Sequence, residues 1–353
     1  MVFTGAHQPF VPQSFPIPTR LGPGEVLVRL SLASICGSDL HTYFGRRQEP
    51  EPSILGHEGV GLVLALGPDR EDDIAVGDRV TWSLVDSCGH CAYCTTHRLP
   101  QKCPDMFKYG HAEWHPGVPP NGCYATHIVL RAGTHVVRVP DNVPDRLVVA
   151  ANCALATMVH AVEHVPTDCQ RIWVQGAGLL GVFGVALLRE ISQAEIVISE
   201  TNPARLAIAQ KLGAVGLTPA DMTARLAAEP ESFDVVIEVA GHKTLLPEGV
   251  AALRHGGLYL WVGLAHPHSE IAFKAERIVR KCLHVQGVYN YAPWHLDEGV
   301  AFLARVGATL PIAEMFSAPM PLTQLDAAIR LAAEQAWLRV ILDCYVTAPT
   351  TTP

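Results

Sequence analysis

The feature that most constrains this fold is a regular alternation of short apolar runs and helical segments between about residues 144 and 290. The apolar runs predict buried strands, and segments such as PARLAIAQKLGA predict the helices between them. The candidate strands are RIWVQG, EIVISE, FDVVIEVAG, GGLYLWVG and LHVQGVY. Strands that alternate with helices in this way favour an α/β fold with a doubly wound parallel sheet.

Three glycines with the spacing GxGxxG follow the first of these strands: Gly176, Gly178 and Gly181. This spacing supplies a tight turn, a close backbone approach to a pyrophosphate and helix–strand packing, and free N–H groups at the helix start bind phosphate. Glu200 closes the next strand, where a carboxylate accepts ribose hydroxyls and repels a 2′-phosphate. The pattern predicts a dinucleotide site that favours NAD over NADP, although Arg205 could hold a 2′-phosphate or flank the adenosine. A glycine-tolerant turn in an unrelated α/β protein is the alternative.

The first 140 residues have a different pattern of apolar residues. Residues 25–35 and 54–67 alternate or run apolar between glycines and prolines, and VGDRVTW and YATHIVL continue the pattern, which is typical of short antiparallel strands. The segment LRVILDC near the end predicts a strand that returns to this first domain. A chain of 353 residues is long enough for two domains.

Charge and hydropathy exclude several classes of function. The net charge is −8 without a long run of Lys or Arg, so we expect no nucleic-acid partner. The N-terminus lacks the basic start and apolar stretch of a signal peptide, which predicts a cytoplasmic protein. The run IWVQGAGLLGVFGVALL, residues 172–188, is short for a membrane span and carries four glycines, so a strand, turn and helix explain it better.

Four of the ten cysteines are packed into the stretch SCGHCAYCTTHRLPQKC. They are Cys88, Cys91, Cys94 and Cys103, with the spacing CxxCxxCx8C. Tight CxxC turns let thiolates converge on one tetrahedral metal, and four sulfurs fill the coordination shell of zinc. The stretch predicts a structural zinc site, with an iron–sulfur cluster, a redox switch, or replacement of one thiolate by His90 or His97 as alternatives.

A catalytic zinc requires three protein ligands and one open position, and the fold can gather those ligands from distant sequence. Cys36 in CGSDLH, His57 in GHEGVG and Cys153 in ANCALAT are candidates. Two thiolates and an imidazole suit a Lewis-acid zinc that lowers the pKa of an alcohol. Each residue taken alone is more often a buried apolar cysteine or an ordinary histidine.

The order of CGSDLH, GHE, the four-cysteine stretch, NGCYATH, Cys153, GxGxxG with Glu200, and LRVIL resembles the zinc-containing medium-chain dehydrogenase/reductase family over nearly the whole chain. The resemblance implies a mostly-β, GroES-like catalytic domain and a Rossmann NAD-binding domain. The implied boundaries are 1–154 for the catalytic domain with its structural zinc lobe at about 86–104, 155–290 for the Rossmann domain, and 291–353 for the return to the catalytic domain.

The resemblance also implies roles for residues around the catalytic zinc. Cys36, His57 and Cys153 match the family's zinc ligands. Asp39 is placed to orient His57, and Glu58 to lie behind the metal or ligate it transiently. A carboxylate with only a structural place in a strand is the alternative for Glu58.

Three further residues match family positions that handle protons or the cofactor. Ser38 stands where a hydroxyl takes the substrate's proton, and His41 where a histidine passes it outward through the cofactor ribose. Arg339 in LRVIL occupies the position of a basic residue that reaches the cofactor pyrophosphate in some relatives. The alternatives are a turn residue for Ser38 and a solvated strand-edge residue for Arg339.

The implied function is a zinc-dependent alcohol dehydrogenase that transfers hydride between an alcohol and NAD, and reduces an aldehyde or ketone in reverse. The segments RLPQKC, KYGH, TWS and ANCALAT are most similar to a bacterial branch associated with phosphonate degradation. On that reading Lys108, His111 or His115 would meet an anionic headgroup.

Two other functions stay open. A polyol or amino-alcohol dehydrogenase of the sorbitol or threonine type is one, because VQGVYNYAPWHLDEG also resembles that branch. A non-catalytic protein that binds zinc and a dinucleotide is the other. By family analogy we expect a homodimer or homotetramer. The sequence assigns no role to the remaining cysteines, which are Cys123, Cys169, Cys282 and Cys344.

Overall fold

The computed structural model describes residues 1–70, 73–266, 269–271 and 274–345. The chain forms two compact units. The first contains Met1–Cys153, Tyr291–Ala308 and the chain from Met315 onward, and the second contains Ala154–Asn290 and Thr309–Glu314. The chain therefore leaves the first unit, builds the second and returns.

The described residues form regular elements in both units. The strands are β1 (Val26–Ile35), β2 (Glu58–Leu66), β3 (Arg79–Trp82), β4 (Val85–Asp86), β5 (Phe107–Lys108), β6 (His127–Leu130), β7 (Val136–Arg138), β8 (Arg171–Gln175), β9 (Glu195–Ser199), β10 (Val215–Leu217), β11 (Phe233–Glu238), β12 (Leu253–Trp261), β13 (His284–Gly287), β14 (Met320–Pro321) and β15 (Val340–Asp343). The α-helices are α1 (Gly37–Tyr43), α2 (Asp145–Val148), α3 (Ala156–Val162), α4 (Leu179–Ile191), α5 (Pro203–Lys211), α6 (Pro219–Ala228), α7 (Leu245–Ala252), α8 (Glu276–Arg280), α9 (Pro293–Val306) and α10 (Leu325–Ala333). Short 3₁₀ segments lie at Pro100–Lys102, Gly307–Thr309, Pro311–Met315 and Leu322–Gln324, and a π-helical turn lies at Ala151–Leu155.

The main sheet of the first unit has the strand order β14-β15-β1-β2-β3-β7, and β6 also pairs with β1. β1 is antiparallel to β2, β6 and β15. Its core contains the buried rings of Trp82, Tyr109 and Trp114 among aliphatic side chains. The register pairs Ile35 with Val340, which brings Arg339 to the end of β1 where Cys36 follows.

The predicted strand at 54–67 begins later in the structure, at Glu58. Gly56 has φ +85°, and a Cβ at this position would lie 2.5 Å from the ring of Tyr124. Only glycine combines this left-handed backbone with so close an approach. His57 is therefore held between a fixed turn and the first residue of β2.

The second unit contains a six-stranded sheet in the order β10-β9-β8-β11-β12-β13, and every adjacent pair is parallel. The order reverses between β8 and β11, where a doubly wound sheet binds ligands at the carboxyl ends of its strands. Trp173, Phe233 and Tyr259 form part of its core. The predicted α/β fold is confirmed, and β10 is a strand that the apolar pattern did not predict.

The apolar run at 172–188 forms β8, the glycine loop and most of α4, as predicted. A different helical stretch, Asp145–Val162, has the length and the mean hydropathy, 1.2, of a possible membrane span. However, 72% of this stretch is buried inside the protein, which is the behaviour of a core helix.

Candidate active site and metal centres

The four-cysteine stretch folds into a lobe between β4 and β5, which pair with each other at its base. The sulfur atoms of its cysteines converge. The Sγ–Sγ distances are 3.5 Å for Cys91–Cys94, 3.8 Å for Cys91–Cys103 and 3.9 Å for Cys88–Cys94. Tetrahedral zinc with Zn–S bonds of about 2.3 Å places its sulfurs roughly 3.8 Å apart. The lobe therefore has the dimensions of a closed zinc site.

Backbone amides in this lobe also favour the thiolate form. The N–H of Cys91 points to Cys88 Sγ at 3.4 Å. Hydrogen bonds from the backbone at His90 and Cys91 lower the pKa of Cys88 to about 6. His90 is exposed, and its Nδ1 lies 2.8 Å from the carbonyl of Cys88, so its ring does not replace a thiolate.

A second cluster brings together Cys36, His57, Glu58 and Cys153, whose ligand atoms all lie within 4.8 Å of one another. Cys36 is the N-cap of α1, His57 precedes β2, and Cys153 lies in the π-helical turn. The Sγ atoms of Cys36 and Cys153 are 4.0 Å apart, close to the spacing that tetrahedral zinc requires. The structure thus assembles the three candidate ligands from positions more than a hundred residues apart in sequence.

Electrostatics at this cluster favour a thiolate at Cys36. The hydrogen bond from Cys153 and the charges of Arg339 and His57 hold the pKa of Cys36 well below its usual range, although burial opposes this. The same hydrogen bond and burial raise the pKa of Cys153. Metal binding here would release any proton that the two sulfurs carry.

Asp39 connects three parts of this site and is 1% exposed. Its Oδ2 accepts a hydrogen bond from the N–H of Cys36 at 2.9 Å, and its Oδ1 accepts one from Gly56 at 3.3 Å. The same Oδ1 lies 3.6 Å from Nδ1 of His57. Burial opposes the charge on His57, but Asp39 and Cys36 outweigh burial and raise its pKa to about 10. Asp39 therefore faces Nδ1 and leaves Nε2 for a metal.

Within this cluster, Glu58 forms a forked ion pair with Arg339. Arg339 Nε donates to Glu58 Oε2 at 2.8 Å, and Nη2 donates to Oε1 at 2.9 Å. Ser34 Oγ also donates to Oε2. Arg339 Nη2 lies 3.7 Å from Cys36 Sγ. The structure thus places Arg339 beside Cys36, a candidate metal ligand, and its contact with a cofactor pyrophosphate stays a prediction.

Ser38 and His41 lie three residues apart on α1 and therefore share a face of the helix. The Ser38 hydroxyl is buried and has no hydrogen-bond partner among the residues that the structure describes. Buried hydroxyls normally have a partner, so Ser38 is a candidate to bond a ligand hydroxyl.

The sequence did not single out Asn152, which fixes the position of Cys153. Its buried Nδ2 donates to the carbonyls of His57 and Trp82, each at 3.0 Å, and its backbone carbonyl accepts from the hydroxyl of Tyr291. These bonds tie the π-helical turn to the residue before β2. The only sequence signal was the position of Asn152 next to Cys153.

The neighbourhood of His57 also holds a buried ionic group that the sequence only partly indicated. The rings of His57 and His111 are 5.0 Å apart, and Nδ1 of His111 lies 2.8 Å from Glu49 Oε1. Arg47 contacts the same carboxylate at 2.6 Å. Burial and the charge of Lys108 hold the pKa of His111 well below its usual range. Arg47, Glu49 and Lys108 carry charges that a polar substrate could meet.

His115, in contrast, does not join this group. Its side chain is 64% exposed, and its Nε2 lies 3.7 Å from the carboxylate of Glu113. His115 therefore lies on the surface, and its contact with an anionic headgroup stays a prediction.

In the second unit, the glycine loop joins β8 to α4. Gly176 has φ +105°, and a Cβ on Gly181 would lie 1.9 Å from the carbonyl oxygen of Gly176. A Cβ on Gly178, the N-cap of α4, would meet no atom within 4 Å. Gly176 is thus required by its backbone conformation, and Gly181 by packing. Gly178 leaves open space at the start of the helix, which suits a phosphate.

Glu200 closes the side of this loop. Its Oε2 accepts a hydrogen bond from the N–H of Ala177 at 2.9 Å, and its Oε1 accepts from the N–H groups of Thr201 and Asn202. Partial burial opposes its charge, but the backbone N–H groups of Asn202 and Ala177 outweigh burial and lower its pKa. Glu200 therefore stays a carboxylate beside the loop. Arg205 lies in the first turn of α5, half-buried.

All ten cysteines are free thiols in the structure. Of those outside the two clusters, Cys123, Cys169 and Cys344 are buried as small apolar side chains, and Cys282 is exposed.

Comparison with known protein families gives matches over most of the chain. Residues 22–141 match the alcohol dehydrogenase GroES-like domain, and residues 180–305 match the zinc-binding dehydrogenase domain. L-threonine 3-dehydrogenase of Deinococcus deserti is 30% identical over 301 residues, which is 82% of this chain and 84% of that protein. The chain belongs to the zinc-containing medium-chain dehydrogenase family.

Solved structures agree with this membership. An alcohol dehydrogenase from Thermotoga maritima has a TM-score of 0.88 and 30% identity, covering 97% of this chain and 98% of that one. A protein of Escherichia coli CFT073 described as a short chain alcohol dehydrogenase, complexed with NADH, has a TM-score of 0.82 and 25% identity, with coverage of 97% and 98%.

Family membership confirms several predictions from the sequence. The protein is an oxidoreductase of the alcohol dehydrogenase type, its fold combines a GroES-like domain with a Rossmann domain, and its cofactors are zinc and a pyridine nucleotide. It does not confirm the phosphonate branch.

Proposed function

We propose that the protein is an NAD-dependent zinc dehydrogenase that oxidises an alcohol and reduces the corresponding aldehyde or ketone. The observation that carries the proposal is the cluster of Cys36, His57 and Cys153, with its sulfurs 4.0 Å apart. The Cys88, Cys91, Cys94 and Cys103 lobe would hold a second, structural zinc.

The residues around the cluster would divide the work of proton transfer and positioning. Bound zinc supplies a Lewis acid that lowers the pKa of an alcohol hydroxyl, and bound NAD accepts hydride. Ser38 would accept the proton of that hydroxyl, and His41 would carry it towards solvent. Asp39 orients His57, and Arg339 holds Glu58 in place behind the ligands.

Selectivity for NAD is proposed from Glu200. A carboxylate at this position accepts ribose hydroxyls and repels a 2′-phosphate. Its lowered pKa keeps the negative charge at neutral pH. Arg205, in the first turn of α5, would flank the adenosine.

The substrate is proposed to be a small polar alcohol. His111 lies beside His57, Glu49 contacts both His111 and Arg47, and Lys108 is close enough to lower the pKa of His111, so charged and hydrogen-bonding groups lie near His57. Such groups recognise a charged substituent on the alcohol, for which a phosphonate is the first candidate. An amino alcohol of the threonine type is the second, because the Deinococcus deserti relative is an L-threonine 3-dehydrogenase.

The test is NADH formation, followed by absorbance, across simple alcohols, polyols, threonine and hydroxyalkylphosphonates. Ser38→Ala and Cys153→Ser should lose turnover, and Cys282→Ser, which changes an exposed cysteine outside both clusters, should keep it. If protein that holds zinc and NAD turns over none of these compounds, the proposal of an enzyme is refuted and a non-catalytic binder is favoured. A Lys108→Ala, His111→Ala variant that retains full phosphonate turnover would exclude the phosphonate headgroup from this group of residues.

The proposal includes a homodimer or homotetramer in the cytoplasm. β13 is an edge strand of the parallel sheet, with Val285 on it and Val279 nearby both exposed. An unpaired edge with exposed apolar residues supports pairing with a second copy. The free cysteines support a reducing compartment. Light scattering on the purified protein tests the oligomer, and a monomer at all concentrations would contradict it.

A further inference from the structure

A third group of metal-ligating side chains lies in the second unit, outside the sites described above. The sequence HAVEH places His160, Glu163 and His164 at the carboxyl end of α3, at positions i, i+3 and i+4. Residues with these spacings share one face of a helix. One ligand atom from each lies within 4.8 Å of the other two. Glu163 Oε1 is 3.9 Å from His160 Nε2 and 3.7 Å from His164 Nε2.

A hydrogen bond to the backbone of Asn290 fixes the orientation of the His160 ring. Its Nδ1 lies 2.8 Å from the carbonyl oxygen of Asn290, which can only accept, so Nδ1 carries the hydrogen. This leaves a lone pair on Nε2, the atom that faces Glu163. Imidazoles that bind metals are commonly held by a hydrogen bond from the other ring nitrogen to a carbonyl or carboxylate. His160 is also 8% exposed, so its ring has little freedom to turn.

His164 presents a second ring nitrogen to the same place. Its Nε2 is buried and makes no hydrogen bond to any residue described in the structure. Burial lowers the pKa of His164. A buried ring nitrogen that makes no hydrogen bond to the described residues is a group that a cation would satisfy.

We propose that His160, Glu163 and His164 form a third metal site, which takes a divalent transition ion of the zinc class. Two imidazoles and one carboxylate are a common donor set for zinc, and water would complete the shell. Bond lengths of about 2.0–2.1 Å place tetrahedral ligands roughly 3.4 Å apart. The two separations from Glu163 exceed this by a few tenths of an ångström, and the half-exposed Glu163 side chain can turn to close them.

The position of the site indicates a stabilising role. His160 already links α3 to Asn290, where the long segment of the second unit ends. A bound ion would join the last turn of α3 to that point through one more contact. The metal-free alternative is that His160 and His164 only stabilise the helix carboxyl end, with Glu163 as an ion-pair partner. The two alternatives differ in the number of metal ions that the protein holds.

The experiment counts zinc in the full-length protein after exposure to Zn²⁺ and removal of the excess, by elemental mass spectrometry. The variants are Glu163→Gln and His164→Gln, which leave the bond between His160 and Asn290 in place. His135→Gln is the matched control, because His135 pairs with Asp297 at 2.8 Å and has no third ligand among the residues that the structure describes. Zinc affinity of the third site should fall by about 100-fold or more in each variant, since even residues that only support a ligand contribute 10- to 100-fold.

We expect the unaltered protein and the His135→Gln control to hold one more zinc per chain than the two site variants. A rise of the melting temperature on adding Zn²⁺ should also be confined to the first two proteins. Equal zinc counts in all four proteins would overturn the proposal, whether the count is low or high. Because the readout is metal content and melting temperature, the result does not depend on catalytic activity.

Discussion

Replacing Arg339 by Met should destabilise the protein strongly, because it leaves a buried carboxylate without its counter-charge. Arg339 donates two hydrogen bonds to Glu58, at 2.8 and 2.9 Å, and Glu58 is 0% exposed. Removing one member of a buried ion pair costs about 3–5 kcal/mol of unfolding free energy. Ser34 would be the remaining donor to this carboxylate in the described contacts.

The cost should depend on pH in a defined direction. Burial raises the pKa of Glu58, and Arg339 is the main influence that opposes it. In the variant the folded-state pKa rises further above the unfolded value of about 4.3. A group with a raised folded pKa binds its proton more tightly when folded, so stability falls as pH rises from that unfolded value to the folded pKa. Arg339→Met should therefore be less destabilising at about pH 5 than at about pH 8.

The assay is urea denaturation at fixed zinc concentration, as a double-mutant cycle with Glu58→Met and the double variant. Replacing both charges by apolar side chains should recover most of the loss, since buried ion pairs are often replaceable at little cost. Arg305→Met is the control, because Arg305 and Glu298 form an exposed pair at 2.7 Å, for which we expect about 0–1 kcal/mol. A loss below about 1 kcal/mol in Arg339→Met, with no pH dependence, would refute the reasoning.

Three further predictions concern the metal sites, the cofactor and acid stability. Cys153→Ser should abolish turnover and lose one zinc per chain in a folded protein, whereas Cys94→Ser should mainly lower the melting temperature; equal effects on both quantities would contradict the division between a catalytic and a structural site. Glu200→Ala should shift the ratio of kcat/KM for NAD and NADP towards NADP by about 10- to 100-fold, which corresponds to about 1–3 kcal/mol, and an unchanged ratio would remove Glu200 from cofactor selection. Asp234→Asn should cost about 1–2 kcal/mol at neutral pH, because Asp234 accepts from the backbone of Gln170 and Arg171 and from Arg254. Burial opposes the charge of Asp234, but Arg254 and the backbone donors lower its pKa. The stability that Asp234 contributes is therefore complete above the unfolded pKa of about 3.9 and is lost as pH falls through the folded pKa. A destabilisation by Asp234→Asn that does not become smaller in acid would contradict this.

Local sequence was sufficient where the chemistry is contained in a short segment. The CxxCxxCx8C stretch converges on one site because its turns hold the thiolates close together whatever surrounds them. The glycine loop similarly follows from a strand, a turn and a helix that are adjacent in the chain. Alternation of apolar runs predicted the parallel sheet, except for the short, half-exposed strand β10, whose residues carry no strong apolar signal.

Residues that are distant in sequence could not be placed by local pattern. Cys36, His57 and Cys153 gained their roles from the order of motifs, and only the fold shows that their ligand atoms meet. Nothing near Asn152 indicates that its amide binds the carbonyls of His57 and Trp82. Arg339 illustrates the same limit, because the antiparallel pairing of Ile35 with Val340 sets it beside Cys36 and Glu58.

The sequence by itself determined the convergence of the four cysteines and the strand–loop–helix unit at Gly176, because each depends on residues within a few turns or one strand–helix unit. The tertiary structure decided which buried charges compensate one another: Asp39 with His57, Arg339 with Glu58, and Glu49 with Arg47. It also separated His111, buried against His57, from the exposed His115 four residues later. Burial and counter-charge depend on the packing of distant segments, and the linear order of residues does not contain that information.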